Sequence, residues 1–414
     1  MLKRIKAVGF KSLAEVEIEL PRMTVLFGPN AAGKSNLLDA VQALSRIGTS
    51  RTLSDALSEP IRGYPIEAFA FPPGGLPELL SAKAAHFTVE ADLSVGKDQK
   101  EHCRYRAAVE IQPGSGSLAV KDEYLAALNA KGEPKGVPAI EVVSGKLRLR
   151  RRSHRGKPRY EDLGQNYTAL SDRRLGGAEY RTIELTRSEL FGWRTYYLDP
   201  RVAMRAARPP ADVRDIGLLG EDIAPFLYRL RAENPKHFEA AQRTLRSLVP
   251  NVEDLSVDLD KRRGTLDIQV RQGGTDFSSR IVSEGTLRVL ALCAIAVNPW
   301  SRSLLAFEEP ENGVHPRRLE LIAELLSSLV IVRGKQLIVT THSPLFCDAV
   351  LRLARPRPHE IALFNVRHTV RGTSVSRFDA TGPLFKDSEI ARALTSGAED
   401  GLFEGLMLRG MIDG

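Results

Sequence analysis

Met23–Leu38 reads MTVLFGPNAAGKSNLL, and the fold turns on how this stretch is read. Met23 to Phe27 is a short apolar run, the pattern of a buried strand. Gly28 to Ser35 follows as G-P-N-A-A-G-K-S. From Asn36 to Ile47, the residues Leu37, Leu38, Val41, Leu44 and Ile47 fall on one helical stripe. Strand, glycine-rich loop and helix meet in the phosphate-loop pattern G-x-x-x-x-G-K-[ST]. Gly28 and Gly33 let the backbone turn until its N–H groups converge on phosphate oxygens. Pro29, Asn30, Ala31 and Ala32 complete that cradle, and Asn36 opens the helix behind it. The positive end of the helix dipole faces the same anion. Lys34 is expected to reach the β and γ phosphates of a nucleotide and Ser35 to ligate Mg²⁺. The alternative is a chance glycine-rich turn, which the flanking strand and helix argue against.

The whole chain sets the bounds. Its 414 residues can bury one large core or two, and 43% hydrophobic and 27% charged residues are ordinary for a soluble globular protein. Lys3, Arg4 and Lys6 lead into alternation rather than an apolar signal core, and the longest apolar run, Val289 to Val297, is far short of a membrane span. Cys103, Cys293 and Cys347 are scattered in neither a metal nor a disulfide spacing, as suits a reducing compartment. A cytoplasmic location without membrane association is the expectation. The net charge of +8 sits in one place: Lys146 to Arg159 holds eight Lys or Arg and no acid, so the remainder is balanced.

Taken in order, Leu2–Phe10 and Ala14–Leu20 alternate as two antiparallel strands joined at Lys11-Ser12. Residues 49–75 are rich in Pro and Gly and read as irregular. His86–Val95 and His102–Ile111 read as a sheet meander. Ile140–Val143, Ser144-Gly145 and Lys146–Arg150 read as a β-hairpin. Two readings of its basic run stay open: a strand with one solvated cationic face, or a nucleic-acid contact through Arg148, Arg150, Arg151 and Arg152. Tyr160 and Tyr167 are the nearest aromatic residues for base stacking. Lys236–Leu248 is an amphipathic helix opened by Asn234-Pro235. Ser283-Glu-Gly-Thr-Leu-Arg288 precedes a strongly apolar helix. Leu304–Phe307 is an apolar strand running into Glu308-Glu309-Pro310. Gln336–Thr341 is a strand ending at His342-Ser343-Pro344, and residues 361–378 read as a hairpin.

A phosphate cradle needs companions: a carboxylate for metal, a base for water and a γ-phosphate sensor. Carboxylates at the carboxyl end of an apolar strand stand where phosphate loops open in α/β sheets. Glu308 is thus the candidate for the Mg²⁺ shell and Glu309 for the general base, with His342 able to hydrogen-bond a γ-phosphate. Ser283 and Gly285 offer a second helix terminus for phosphate. Each has a plainer reading, as a solvated strand end, a turn histidine or a helix N-cap. Their conjunction and order carry the inference.

The phrases IVSEGTLRVLAL (281–292), FEEPENGVHP (307–316) and VTTHSPLF (339–346) resemble ABC-type ATPase heads of the SMC/RecF/OLD-like group. More closely, they resemble the bacterial "predicted ATPase" (AAA family ATPase) proteins, and IKAVGFKSL near the start is similar as well. The resemblance runs from Met1 to about Pro344. It implies an α/β P-loop NTPase, a two-lobed ABC ATPase head with a mixed sheet and an antiparallel β meander. It implies that Lys34 and Ser35 bind phosphate and Mg²⁺, and that Ser283 and Gly285 form a signature motif meeting the γ-phosphate bound by a second copy. Glu308 stands where such motifs usually carry Asp, Glu309 is the catalytic glutamate, Asn312–His315 is the D-loop region, and His342 is the switch histidine. Lys11 is expected near the nucleotide. ATP and Mg²⁺ are the implied cofactors.

The organisation expected is lobe I at 1–118, an insertion with the basic hairpin at 119–190, and lobe II at 191–414. The insertion lacks heptads, which excludes a long coiled-coil arm. The 72 residues after His342 lack an acidic metal cluster, so a nuclease activity is not expected. The functional expectation is an ATPase that dimerises head-to-head around ATP and acts on DNA, in repair or anti-phage defence, with a separate effector protein. The competing expectation is a slow nucleotide-gated scaffold that assembles a partner without significant turnover. A transporter subunit fits poorly with S-E-G-T-L-R and with His-Pro after the acidic pair.

Overall fold

The computed structural model describes residues 1–151, 157–301, 303–379, 403, 405 and 406. The amino-terminal half runs β1 (Leu2–Phe10), β2 (Leu13–Glu19), β3 (Met23–Phe27), α1 (Lys34–Ile47), α2 (Leu53–Leu57), α3 (Gly75–Ser81), β4 (Ala85–Val95), β5 (Glu101–Gln112), β6 (Ser117–Ala127), β7 (Ile140–Val143), β8 (Lys146–Leu149), β9 (Arg159–Asp162) and α4 (Arg181–Phe191). The remainder runs β10 (Arg194–Tyr196), α5 (Ile223–Glu233), α6 (Pro235–Leu248), β11 (Asp254–Asp260), β12 (Thr265–Gln272), β13 (Thr275–Ser278), α7 (Glu284–Val297), β14 (Leu304–Glu308), α8 (Leu319–Ile331), β15 (Gln336–Thr341), α9 (Pro344–Ala354), β16 (Ile361–Thr369) and β17 (Gly372–Arg377). Two packed units result. The first takes Met1–Pro21, Gly28–Trp193 and Asn365–Ser376, and the second takes Arg22–Phe27, Arg194–Phe364 and the described residues from Arg377 onward.

The first unit is built on an antiparallel sheet ordered β2-β1-β4-β5-β6-β7-β8-β9. Its strands alternate because only one face is covered. Phe87, Val89, Ala91 and Leu93 of β4 and Cys103, Tyr105, Ala107 and Val109 of β5 are buried. Helices α1 and α4 pack on this sheet. The other face carries an ion-pair ladder across strands. Arg4 of β1 holds Asp92 of β4 at 3.0 Å, and Arg104 of β5 holds the same carboxylate at 2.7 Å.

One buried carboxylate stands among the apolar residues of that face. Glu123 of β6 accepts the backbone N–H of Ala169 at 2.7 Å and of Leu170 at 2.9 Å, and the Tyr105 hydroxyl at 3.2 Å. Burial pushes its carboxyl up to about 7, ahead of the opposite pull from those donors. The folded chain therefore holds a proton that the unfolded chain has released. Stability from this group is fully present below the ordinary glutamate range near ~4.3 and is lost as pH rises to about 7. Urea unfolding of the wild type is expected to show a midpoint that falls from pH 5 to pH 7.5. Glu123→Gln loses an acceptor for one N–H, costing about 1–3 kcal/mol, and its midpoint should depend less on pH. An unchanged pH slope in this variant would remove Glu123 as the cause.

In the second unit, β10, β14, β15 and β3 lie side by side, all parallel. All five residues of β3 are buried, as expected of a strand flanked on both sides and covered on both faces. The register decides what stands at the carboxyl edge. Glu308 pairs with Thr340, and Thr341 pairs with Phe27. The acidic pair, the histidine and the residue preceding Gly28 thus leave the sheet at one level. Helix α7 is buried on nearly all sides from Thr286 to Val297, so it is a core helix rather than an amphipathic cover. Phe27, at the end of β3, meets both Phe378 and Phe403 edge-on, and those two rings are tilted against each other.

Several elements differ from the sequence reading. Residues 49–75 hold the short helix α2, with Thr52 as its N-cap accepting from Asp55, rather than being wholly irregular. Helix α9 follows His342 directly. Ser343 caps it and Pro344 occupies its first turn, a start signal present in the sequence. Among the described residues, no helix is long and apolar enough to cross a membrane.

Candidate active site

The loop after β3 is shaped by contacts that only glycine permits. A Cβ on Gly28 (φ 145°) would lie 2.1 Å from the Val366 carbonyl oxygen, and one on Gly33 (φ 104°) 2.1 Å from Thr373 Oγ1. A relay of side chains braces the loop. The Asn36 amide donates to Ser12 Oγ at 2.7 Å, Ser12 and Thr373 share a hydroxyl contact at 2.7 Å, and Thr373 Oγ1 donates to the Ala32 carbonyl at 3.1 Å. Asn30 and Ala31 form the exposed tip, with Ala31 at φ 64°. Lys34 is buried, and its ammonium donates to the carbonyls of Gly28 at 2.6 Å and Pro29 at 2.9 Å. Ser35 is half-buried one residue further on.

Lys11 stands beside the start of α1. Its ammonium meets the fully buried Asp39 at 2.6 Å and the Arg62 carbonyl at 2.8 Å, while Arg62 holds the same carboxylate at 3.1 Å. Asp39 thus neutralises much of the charge that Lys11 would offer an anion. A cavity of about 710 Å³ opens here, lined by Lys11, Asn36, Arg62, Phe69, Phe71 and His368. Cations and aromatic walls next to a braced glycine loop fit a nucleotide in kind.

In the second unit, Glu309 is held on three sides. Its N–H donates to the Thr340 carbonyl at 3.0 Å, one carboxylate oxygen lies 3.0 Å from His342 Nδ1, and the other accepts from the Asn312 amide at 2.6 Å. Its φ of 46° is uncommon for a residue with a Cβ. That conformation turns the chain sharply at the end of β14, straight after Glu308, and aims the side chain at His342. With Nδ1–H directed at Glu309, the other ring nitrogen carries a hydrogen only in the imidazolium form.

Behind this pair lies a group that the sequence reading did not single out. Glu311 is buried and accepts from Thr341 Oγ1, while its second oxygen has no hydrogen-bond partner among the described residues. Burial raises its carboxyl to about 7. Arg288 of α7 buries an Nε that also lacks a partner there, and its charge is felt by Glu311 and Glu309. Two buried polar atoms without partners, one on Glu311 and one on Arg288, are costly, and such cost is characteristic of working sites.

Ser283 and Gly285 take different parts. Ser283 is exposed and caps α7, accepting from Thr286 N–H at 3.2 Å. Gly285 is a packing residue: a Cβ there would lie 2.2 Å from the Gly313 carbonyl oxygen. The first turn of α7 therefore rides directly on the backbone of the segment after Glu309. Local sequence signals nothing of this, because the partner glycine, Gly313, lies 28 residues away.

The basic hairpin forms as read, with Ser144 (φ 52°) and Gly145 (φ 73°) at its turn. Its register sets Glu141 opposite Arg148, and Glu141 pairs with Arg148 at 2.6 Å and Arg150 at 3.4 Å. Arg151 lies 3.4 Å from Glu179, and Arg152 falls outside the described residues. These cations are largely balanced where they stand, which favours the solvated-strand reading for Arg148 and Arg150.

Residues 23–348 match the profile of the family described as "AAA domain, putative AbiEii toxin, Type IV TA system". The chain belongs to this AAA-domain family. Over 53 residues, 13% of the chain, it is 48% identical to a DNA replication and repair protein RecF of Streptomyces avermitilis, and the match spans 14% of that relative. Its fold is similar to an SMC head solved with the C-winged helix domain of ScpA: TM-score 0.50, 14% identity, covering 92% of this chain and 98% of the other. The SMC head domain of Thermotoga maritima aligns at TM-score 0.42 and 15% identity, covering 91% of this chain and 99% of that one. The AAA-domain protein described here therefore has the α/β fold of an SMC-type P-loop ATPase head.

Proposed function

We propose that this protein binds ATP and hydrolyses it, with Glu309 as the general base. The observation that carries the reading is the Glu309–His342 pair. It stands at the carboxyl edge of a sheet in which the neighbouring strand, β3, runs straight into the G-P-N-A-A-G-K-S loop. Loop N–H groups and the Lys34 ammonium take phosphate oxygens, Lys34 leaving the carbonyls of Gly28 and Pro29 to do so. The cavity beside Lys11 and Asn36 takes the nucleoside. Glu309 accepts the proton of the attacking water, and His342 orients that carboxylate through Nδ1. Mg²⁺, held by the Ser35 hydroxyl and reached by Glu308 with phosphate oxygens completing its shell, would supply charge neutralisation when bound.

The exposed cap Ser283 is proposed to reach nucleotide held by a second copy, so that ATP draws two heads together. The name of the RecF relative supports a role on DNA in repair, and the toxin–antitoxin wording of the family points to defence as the second setting, here proposed as anti-phage defence beside a separate effector. One feature favours slow turnover, as in a nucleotide-gated scaffold. Lys34 and Glu309 are both engaged inside the chain and must exchange those bonds for substrate. Phosphate release measured with and without Mg²⁺ and duplex DNA separates the roles. Mg²⁺-dependent turnover that DNA accelerates supports a DNA-directed ATPase. Turnover at background level under all conditions contradicts the hydrolytic reading.

A further inference from the structure

The first unit holds a second cavity, of about 740 Å³, between residues 49–52 after α1 and the segment 166–174. Arg51, Arg173 and Arg174 line it with Thr52, Ser171 and Tyr167. Asp172 takes the Arg174 guanidinium on both oxygens, at 3.0 and 2.7 Å, and Glu161 also lies within electrostatic reach of Arg174. Arg51 and Arg173 are exposed and, among the described residues, have no carboxylate partner. In the basic hairpin Glu141 and Glu179 stand against Arg148, Arg150 and Arg151, whereas in this cavity one lining carboxylate, Asp172, engages Arg174 and leaves Arg51 and Arg173 to face the space.

The walls are fixed before anything binds. Glu123 receives the N–H groups of Ala169 and Leu170, Thr168 Oγ1 donates to the Ile47 carbonyl at 2.7 Å, and the Arg187 guanidinium holds the carbonyls of Leu170, Asp172 and Leu175. On the other side, Leu53 N–H donates to the Asn166 carbonyl at 2.6 Å. The carboxyl end of a helix would ordinarily repel an anion. Here the last carbonyls of α1 are occupied: Leu44 by Gly48 N–H, Ser45 by Thr49 Oγ1, Arg46 by Ser50 N–H and Ile47 by Thr168. A concave, rigid, cationic site with one aromatic ring suits an unpaired nucleotide better than a duplex, which presents a convex row of phosphates.

We propose that this cavity binds single-stranded nucleic acid, with phosphates against Arg51 and Arg173 and a base against Tyr167. The site is separate from the phosphate loop: α1, beginning at Lys34, spans about 20 Å between them. The proposal names the form of nucleic acid in the DNA reading above and is independent of ATP hydrolysis.

The test uses the full chain, a fluorescent dT oligonucleotide, a duplex of the same length and inorganic pyrophosphate as competitor, with ATP binding measured in parallel. Arg51→Glu/Arg173→Glu is expected to weaken dT binding at least ~10-fold and to lower the salt slope by about 1.4, for two phosphates lost. Tyr167→Leu is expected to weaken it about 10-fold with the salt slope unchanged. ATP binding should be retained in both. Either variant binding dT as tightly as the wild type overturns the proposal. So does full competition by pyrophosphate, which marks a free-phosphate site, or duplex binding equally sensitive to both variants. Wild-type protein that binds dT but not ATP would instead sink the nucleotide-hydrolysis reading and leave this one standing.

Discussion

Lys34→Ala is expected to abolish useful ATP affinity, weakening it by about 10²-fold or more, as when one partner of a desolvated charge pair is removed. The fold should survive. The buried ammonium now satisfies two carbonyls, of Gly28 and Pro29, that begin and shape the loop. Removing it forfeits two hydrogen bonds worth roughly 0.5–1.5 kcal/mol each, but it also removes the cost of a buried charge. Thermal melting close to the wild type, together with lost nucleotide binding by calorimetry, is the expected pair of results. Unchanged nucleotide affinity would show that the loop is a structural turn.

Glu309→Gln should separate binding from chemistry. The glutamine carbonyl can still accept from His342 Nδ1–H, so the ring stays oriented. Its NH₂ replaces the oxygen that now accepts from Asn312, and that amide must flip or lose a bond, at about 1 kcal/mol. What is lost is proton acceptance. Turnover should fall by about 10²–10⁴-fold while ATP binding persists. If a second copy completes the site through Ser283, this variant should also double in mass with ATP by light scattering. A variant that stays monomeric with ATP bound would leave hydrolysis intact and remove the head-to-head arrangement.

Much of this was legible in the sequence, because its main signals are periodicities. The stripe Leu37–Leu38–Val41–Leu44–Ile47 is buried in α1, the run Met23–Phe27 is a buried strand, and the apolar run after Ser283 is a core helix. What escaped are features set by contacts across the chain. The sequence reading places Gly285 at a helix terminus that meets phosphate, and carries no sign that the Gly313 backbone lies against it and by itself requires glycine there. The positive φ of Glu309 has no residue-type signal at all, since glutamate carries none. Glu311 looked like one more acid in E-E-P-E-N-G, and its burial follows from Thr341 and α7 packing around it. The basic run shows a different kind of gap. Its composition was read as eight unbalanced cations, whereas a two-residue turn at Ser144-Gly145 fixes Glu141 opposite Arg148. Pairing, not composition, decides how much charge remains for a ligand.

The claim at the centre is that Glu309 removes the proton from the water that cleaves ATP. One single-turnover experiment tests it most directly: mix wild type and Glu309→Gln with limiting radiolabelled ATP and Mg²⁺, then follow bound ATP and released phosphate in the same samples. The account predicts that wild type converts its bound ATP to phosphate, while the variant keeps its ATP bound and intact over the same interval. Phosphate released by the variant at the wild-type rate would contradict it.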